Sequence, residues 1–346
     1  MKIALVELGS SHDECLYTQV KVLKSMPQVH LTLIAHEDLQ SRAQFYGDID
    51  QTAFFAPKKG FKRWRRLFTL WRYCRRQDFD IIVFNTAQGK AISRLVRFPF
   101  GRTQLMGILH NTRKLKGSFS QRFITKKLKH YFVLSEYLMQ KIPKEISASV
   151  LYPILFPSYP SEPISKKEGD VWICVPGQVE LKRRDYKALL QSIEKEGIRP
   201  HIKFILLGRS AHAEGNGMLI KEWIHQHSLG DHFLLWDDYI PVGTFYNYLE
   251  KSDYILPLIH EGDVSEDLYR YQISGAFNLA IGYQKPILCD QNLSDLLSEY
   301  HPISYQTHKV METLNVLQAA PAAPYSEYKW TFEGLKEAYV KALGLP

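Results

Sequence analysis

The chain has 346 residues, 45% of them apolar and 23% charged, with a net charge of +8. That length suits two domains of roughly 100–200 residues better than one core, and the composition excludes a disordered chain. No apolar run approaches the roughly 20 residues that span a bilayer. The opening "MKIALVEL" lacks the cleavage site of a signal peptide, and four scattered cysteines without a CxxC pair argue against a zinc site or disulfide framework. A reducing, cytoplasmic setting is expected. Residues 1–150 carry 26 Lys and Arg against 11 Asp and Glu, a balance of +15. The remainder carries 18 against 25, a balance of −7. Two domains with different partners follow from that asymmetry.

In chain order, "KIALVEL" reads as a buried strand, followed by a loop of Gly9, Ser10, Ser11 and His12 and a helix through Val22. "VHLTLIA" is the next strand. Asp48 and Asp50 have carboxylate-pair spacing but fall in a Gly-containing loop, so no metal site is assigned. Residues 58–77, "KKGFKRWRRLFTLWRYCRRQ", hold nine Lys and Arg and no acid. Phe61, Trp64, Phe68 and Trp71 share one helical face there, with Leu67 and Cys74 beside it. Lys62, Arg63, Trp64, Arg65, Arg66, Phe68, Trp71 and Arg72 suit an anionic membrane surface. An aromatic core face with solvated cations opposite is the alternative. "FDIIVFN", "TQLMGIL" and "HYFVLS" are further strands. Asn85 ends the first of these, and His110 and Asn111 follow the second. Alternation of short β-rich runs with helices implies a parallel sheet covered on both faces.

A proline-rich stretch within 152–170 breaks the pattern, which then restarts with "DVWICVPG", "HIKFILLG", "HFLLWDDY", "DYILPLI" and "KPILCD" as strands. Ligands of such sheets bind beyond the carboxyl ends of the strands. Those ends carry Gly177 and Gln178 with the cations Lys182, Arg183 and Arg184; then Gly208 and Arg209; then Asp238 and Tyr239; then His260, Glu261 and Asp263. Arginine forks and a lysine point charge can hold a diphosphate; a solvated basic loop is the bland reading. Tyr271 precedes Ser274 and Gly275, which open a helix. They are a plain N-cap or an anion site at the helix dipole. The last stretch, "SEYKWTFEGLKEAYVKALGLP", is an amphipathic helix.

Taken together these segments resemble the retaining GT-B glycosyltransferases, glycosyltransferase family 4 in particular. The resemblance rests on Gly177 with Lys182–Arg184, "KSDYILPLIHEGD", "SGAFNLAIGYQKPIL", "GILHN", "YFVLSEYLMQKI" and "KWTFEGLKEAYVKAL" in that order. It implies an α/β fold of two Rossmann-like, doubly wound parallel-sheet domains facing a central cleft, with the C-terminal helix crossing back to the N-terminal domain. The implied domains are 1–155 for acceptor binding, a linker at 156–169, 170–325 for nucleotide-sugar binding, and the terminal helix at 326–346. His110 and Glu261 are the implied catalytic residues. Gly177, Gln178, Lys182, Arg183, Arg184, Gly208, Arg209, Asp238, Tyr239, Tyr271, Ser274 and Gly275 are implied on the donor side. Gly9, Ser10, Ser11, His12, Asn85 and Asn111 are implied on the acceptor side.

One departure bears on activity. Counting back from Pro286, the family's two glutamates fall on Tyr271 and Leu279. Glu261 or Glu266 stands in for the first, and nothing replaces the second. The expectation is a cytoplasmic glycosyltransferase, peripheral on the inner face of the plasma membrane. It transfers a sugar with retention from a nucleotide-sugar donor to a glycan or lipid-linked acceptor in bacterial surface polysaccharide assembly, with no metal or other cofactor. A non-catalytic sugar-nucleotide or glycan-binding protein on the same fold is the alternative. Nucleic acid is a disfavoured partner, because no recognised nucleic-acid module is present.

Overall fold

The computed structural model describes residues 1–345 except 13, 48, 56–60, 212–215 and 320–324, and the side chains of 61–63 are likewise outside the description. The chain forms two compact units. The first comprises Met1–Ser158, Tyr271–Ile273 and Glu327–Pro346, and the second Tyr159–Arg270 and Ser274–Ser326.

In the first unit, seven strands make one parallel sheet: β1 (Lys2–Glu7), β2 (His30–His36), β3 (Gln51–Phe55), β4 (Ile81–Phe84), β5 (Gln104–Ile108), β6 (His130–Val133) and β7 (Ala148–Val150). Their order is β3-β2-β1-β4-β5-β6-β7. The central strands read as unbroken apolar runs because helices cover both faces of a parallel sheet, and Ile3 to Val6 are at most 1% exposed. From β1 the chain winds outward through β2 and β3, then returns to place β4 on the other side of β1. The order reverses between β1 and β4, so their following loops diverge and leave a crevice at the carboxyl edge.

The second unit repeats the plan with β8 (Val171–Pro176), β9 (Ile202–Arg209), β10 (Phe233–Trp236) and β11 (Tyr254–Ile255) in the order β10-β9-β8-β11. A parallel bridge from Ile255 to Ile287 carries the sheet on to β12 (Leu288–Asp290) and β13 (Ile303–Tyr305). Here the reversal falls between β8 and β11. The α/β, doubly wound class expected from the sequence is therefore the observed one. Strands β3, β7 and β13 were not expected. All three are edge strands, where half the burial is missing and the apolar run with it.

The helix Phe332–Leu343 crosses back, as expected. It packs within the first unit against the helix Glu14–Lys24, and Tyr339 and Leu343 join that unit's core. The basic helix (Phe61–Gln77) does not form the aromatic core face that was the alternative reading. Leu67, Leu70 and Cys74 point inward, while Trp64 and Phe68 are 42% and 43% exposed. Trp71 is half-buried against Phe98, donating its Nε1–H to the Pro99 carbonyl (2.9 Å). Leu67, Leu70 and Cys74 follow a three-and-four spacing that a small, uncharged stripe can pack against the sheet, which leaves two large aromatics outside. Arg65, Arg66 and Arg72 are exposed beside them; the side chains of Lys62 and Arg63 lie outside the description. Asp50 is engaged structurally, accepting from Lys24 (2.7 Å) and the Leu31 N–H (2.7 Å).

Candidate functional site

Each unit gathers polar side chains at its own point of strand reversal. In the first unit, β1 ends in Glu7, which is 2% exposed. Its carboxylate accepts from the Gly9 N–H (2.7 Å), the Thr86 hydroxyl (2.6 Å) and the Asn85 Nδ2 (2.9 Å). Burial pushes this carboxyl up, against the downward pull of its three donors. Asn85 Nδ2 also donates to the His12 carbonyl (2.7 Å), and the His12 backbone is left-handed, with φ 65°. The His12 ring stacks on His110 at 4.0 Å and lies 3.5 Å from the Glu14 carboxylate.

His110 is 7% exposed, and its Nε2 sits 2.7 Å from the Asn85 carbonyl. A carbonyl can only accept, so the proton is on Nε2 and Nδ1 keeps its lone pair. Burial, reinforced by the His12 charge, pushes the His110 pKa down to about 3. It is a neutral imidazole with one fixed donor and one acceptor. Asn111 caps the short turn after it by accepting from the Arg113 N–H (3.0 Å), and its Nδ2 reaches Gln272 (3.3 Å). Gly9 is half-buried, and Ser10 and Ser11 are exposed. Gly9, His12, Asn85 and His110, drawn from three separate stretches of sequence, thus meet in one network.

In the second unit, Gly177 follows β8 with φ 100°, a conformation that glycine adopts without strain. Gly208 lies against that loop: a Cβ there would meet the Gly177 carbonyl oxygen at 2.1 Å. Lys182 and Arg183 are exposed, flanking the buried Glu180 at 3.5 and 3.2 Å. Arg184 differs from them. It is 5% exposed, and its guanidinium donates to the Pro176 and Gln178 carbonyls. That guanidinium braces the loop from beneath, and its Nε–H has no partner among the described residues. Gln178 is exposed, Arg209 donates to the Ala211 carbonyl (3.1 Å), and Asp238 and Tyr239 stand in solvent, Tyr239 at 72%.

A triad of the half-buried Asp185 with the buried His260 and Tyr305 ties the loops after β8 and β11 to the end of β13. Asp185 accepts from His260 Nδ1 (2.8 Å), and His260 Nε2 accepts from the Tyr305 hydroxyl (2.8 Å). Asp185 also caps the helix Tyr186–Glu196 by accepting from the Ala188 N–H (3.0 Å). Burial raises the Asp185 carboxyl, yet these hydrogen bonds outweigh it and hold the pKa below the usual value. Glu261 is exposed on a cavity of about 500 Å³ shared with Lys195, Gln291, Asn292, Thr307 and Lys309. Glu266 is committed to its own turn, accepting from the Gly262 N–H (2.9 Å) and pairing with Arg270.

Ser274 is the N-cap of the helix Gly275–Gly282, accepting from the Ala276 N–H (3.4 Å), and the space beside Gly275 is open. Tyr271, expected on the donor side, belongs to the first unit, where its carbonyl accepts from the Thr112 N–H (2.9 Å) and Arg113 lies over its ring.

Sequence reasoning missed Glu7, Thr86, Asp185 and Tyr305. Glu7 had a signal, an acid closing an apolar strand. The other three had none without the strand order.

No family model matches the chain, and no curated protein matches it in sequence. Solved structures do resemble it over its whole length. HepE of Anabaena, determined in complex with UDP and glucose, is 12% identical with a TM-score of 0.62, covering 99% of this chain and 95% of its own. The UDP-GlcNAc 2-epimerase of Neisseria meningitidis, bound to UDP-GlcNAc, is 12% identical with a TM-score of 0.60, covering 99% of each. A glycosyltransferase of Rickettsia africae is 11% identical with a TM-score of 0.57, covering 99% and 98%. At such identities the likeness establishes the fold: two Rossmann-like parallel-sheet units of the GT-B type.

Proposed function

We propose that the protein is a glycosyltransferase that uses a nucleoside-diphosphate sugar, with UDP as the nucleotide, and acts with retention on a glycan or lipid-linked acceptor. The observation that carries this reading is the full-length likeness to HepE, whose structure holds UDP and glucose. The second unit takes the nucleotide. Lys182, Arg183 and the open helix start at Ser274 and Gly275 face the diphosphate, while Arg184 stiffens the Gly177 loop behind them. Glu261 contacts the sugar.

In the first unit, His110 Nδ1 accepts a ligand hydroxyl, and the Gly9–His12 loop lines the acceptor side with Asn85 and Asn111. The bond from the anomeric carbon to the diphosphate oxygen breaks as the acceptor oxygen bonds on the same face. The acceptor proton passes to the departing phosphate oxygen, so no separate base is required. Cationic side chains and the helix N-terminus stabilise the leaving diphosphate, and no metal or cofactor is needed. The exposed basic and aromatic face of the helix Phe61–Gln77 meets anionic lipid on the cytoplasmic side of the membrane, where surface polysaccharide acceptors are presented.

Calorimetric titration with UDP, GDP, ADP and CMP tests the donor site. UDP is expected to bind the wild type, and Arg183→Ala is expected to weaken it about 10-fold, as losing one charge-assisted contact does. Absence of binding by every nucleotide would sink the proposal. A second reading, a sugar-nucleotide epimerase, is favoured by the coverage of 99% of both chains in the comparison with the Neisseria meningitidis enzyme. It predicts C2 epimerisation of UDP-GlcNAc without any acceptor, which proton NMR detects directly.

A further inference from the structure

The helix Glu14–Lys24 carries a glutamine, Gln19, on its fully buried side. Its hydrogen bonds have a forced direction. Nε2 donates to the Cys15 carbonyl (2.8 Å) and to Asn85 Oδ1 (2.8 Å), and Oε1 accepts from the Tyr339 hydroxyl (2.8 Å). Because the Cys15 carbonyl accepts only, the Gln19 amide cannot flip without losing that bond. Asn85 is fixed in turn: its Oδ1 faces a donor, while its Nδ2 faces two groups that only accept, the Glu7 carboxylate and the His12 carbonyl. Donation therefore runs one way, from Tyr339 through Gln19 and Asn85 to Glu7 and His12. Burial keeps the Tyr339 phenol protonated, so it remains a donor. All members are at most 2% exposed except His12, where the chain ends.

We propose that Gln19 is a positioning residue for the reactive edge of the first unit. With Tyr339 of the terminal helix it locks the Asn85 amide, and Asn85 holds His12 in its left-handed backbone conformation, stacked on His110. Neither Gln19 nor Tyr339 touches a ligand; both act through Asn85. A left-handed histidine is uncommon, so it persists where its surroundings over-determine it, and the Asn85 bond to the His12 carbonyl is one of those determinants. The Asn85 carbonyl also fixes the His110 tautomer, so one asparagine sets both imidazoles. For its effect on turnover, the inference rests on the transferase reading given above; its effect on the imidazoles does not.

The test uses the full chain with Gln19→Met, which keeps the volume and removes the amide, and Tyr339→Phe, which removes one hydroxyl. Leu23→Ala, at the far end of the same helix, is the control for destabilisation alone. The readout is the ring carbon and nitrogen resonances of His12 and His110. Both variants are expected to shift and broaden the two histidines, and Leu23→Ala is expected to lower the melting temperature without moving them. Sugar transfer should fall about 10-fold in Gln19→Met, as small misplacements at a reacting site do, with UDP affinity changed less than twofold. If Gln19→Met fails to fold, Tyr339→Phe decides the matter alone. Unmoved histidine resonances in a folded variant would overturn the proposal. Absence of transfer by the wild type would instead count against the transferase reading, leaving the resonance test intact.

Discussion

His110 shows how burial and one backbone contact decide what a side chain can do. Its Nε2–H is committed to the Asn85 carbonyl, and its pKa lies near 3 against an ordinary 6.5. The unfolded chain therefore takes up a proton below about pH 6.5 that the folded chain refuses. The stability due to this group is fully present above 6.5 and is lost progressively as pH falls towards 3, at a slope of up to about 1.4 kcal/mol per pH unit. Urea unfolding of wild type and His110→Gln at pH 7, 6, 5 and 4 checks this: the difference between them should shrink steadily on acidification. Gly208 makes a second residue-level case. Because an added Cβ would sit 2.1 Å from the Gly177 carbonyl oxygen, Gly208→Ala must push the β8 loop away. A cost of about 1–3 kcal/mol is expected, together with a measurable loss of nucleotide affinity by calorimetry.

At the scale of the element, the helix Phe61–Gln77 separates its faces in a way that apolar spacing left open. Leu67, Leu70 and Cys74 are inside and Trp64 and Phe68 outside, as a surface-facing aromatic and basic face requires and an aromatic core face does not. Arg94 lies over the Trp64 ring at 5.3 Å and Arg72 over Phe68 at 6.0 Å, so cations and aromatics share one exposed surface. Each nearby Lys or Arg contributes about 1 kcal/mol at an anionic membrane. Flotation with phosphatidylglycerol vesicles should capture the wild type at low salt, and Arg65→Glu/Arg66→Glu should bind at least about 10-fold less. Equal capture by neutral phosphatidylcholine vesicles would count against a lipid role for this face. Among the described residues no helix is long and apolar enough to cross a membrane.

For the molecule as a whole, the terminal segment is part of the first unit's core although it is last in sequence. Trp330, Leu335, Tyr339 and Leu343 are at most 6% exposed. Burying each large apolar side chain contributes about 1.5–3 kcal/mol, so together they rival the whole stability of an ordinary domain. Truncation after residue 326 is expected to leave the first unit unfolded while the second keeps its own core. Hydrogen exchange would then show β1 and β4 exchanging freely with β8 and β9 still protected. Protection of β1 in the truncated chain would show that the terminal helix is dispensable.

The class of fold was legible along the chain, because strands buried on both faces must be apolar throughout and the helices between them must alternate. So were Gly177, His110, Asn85 and the Gly9–His12 loop, since glycines and polar residues directly after apolar strands are visible without any partner. Which of these residues meet depends on how the strands pair. Strand order is set by long-range pairing, and the reversal between β1 and β4 is what brings Asn85 to Glu7, 78 positions away. The same holds for Arg184, whose charge looked available until the loop folded over it, and for Tyr339, a helix residue whose hydroxyl reaches a glutamine 320 positions earlier. Periodicity along one segment reports which face is apolar; what covers that face is a property of the rest of the chain.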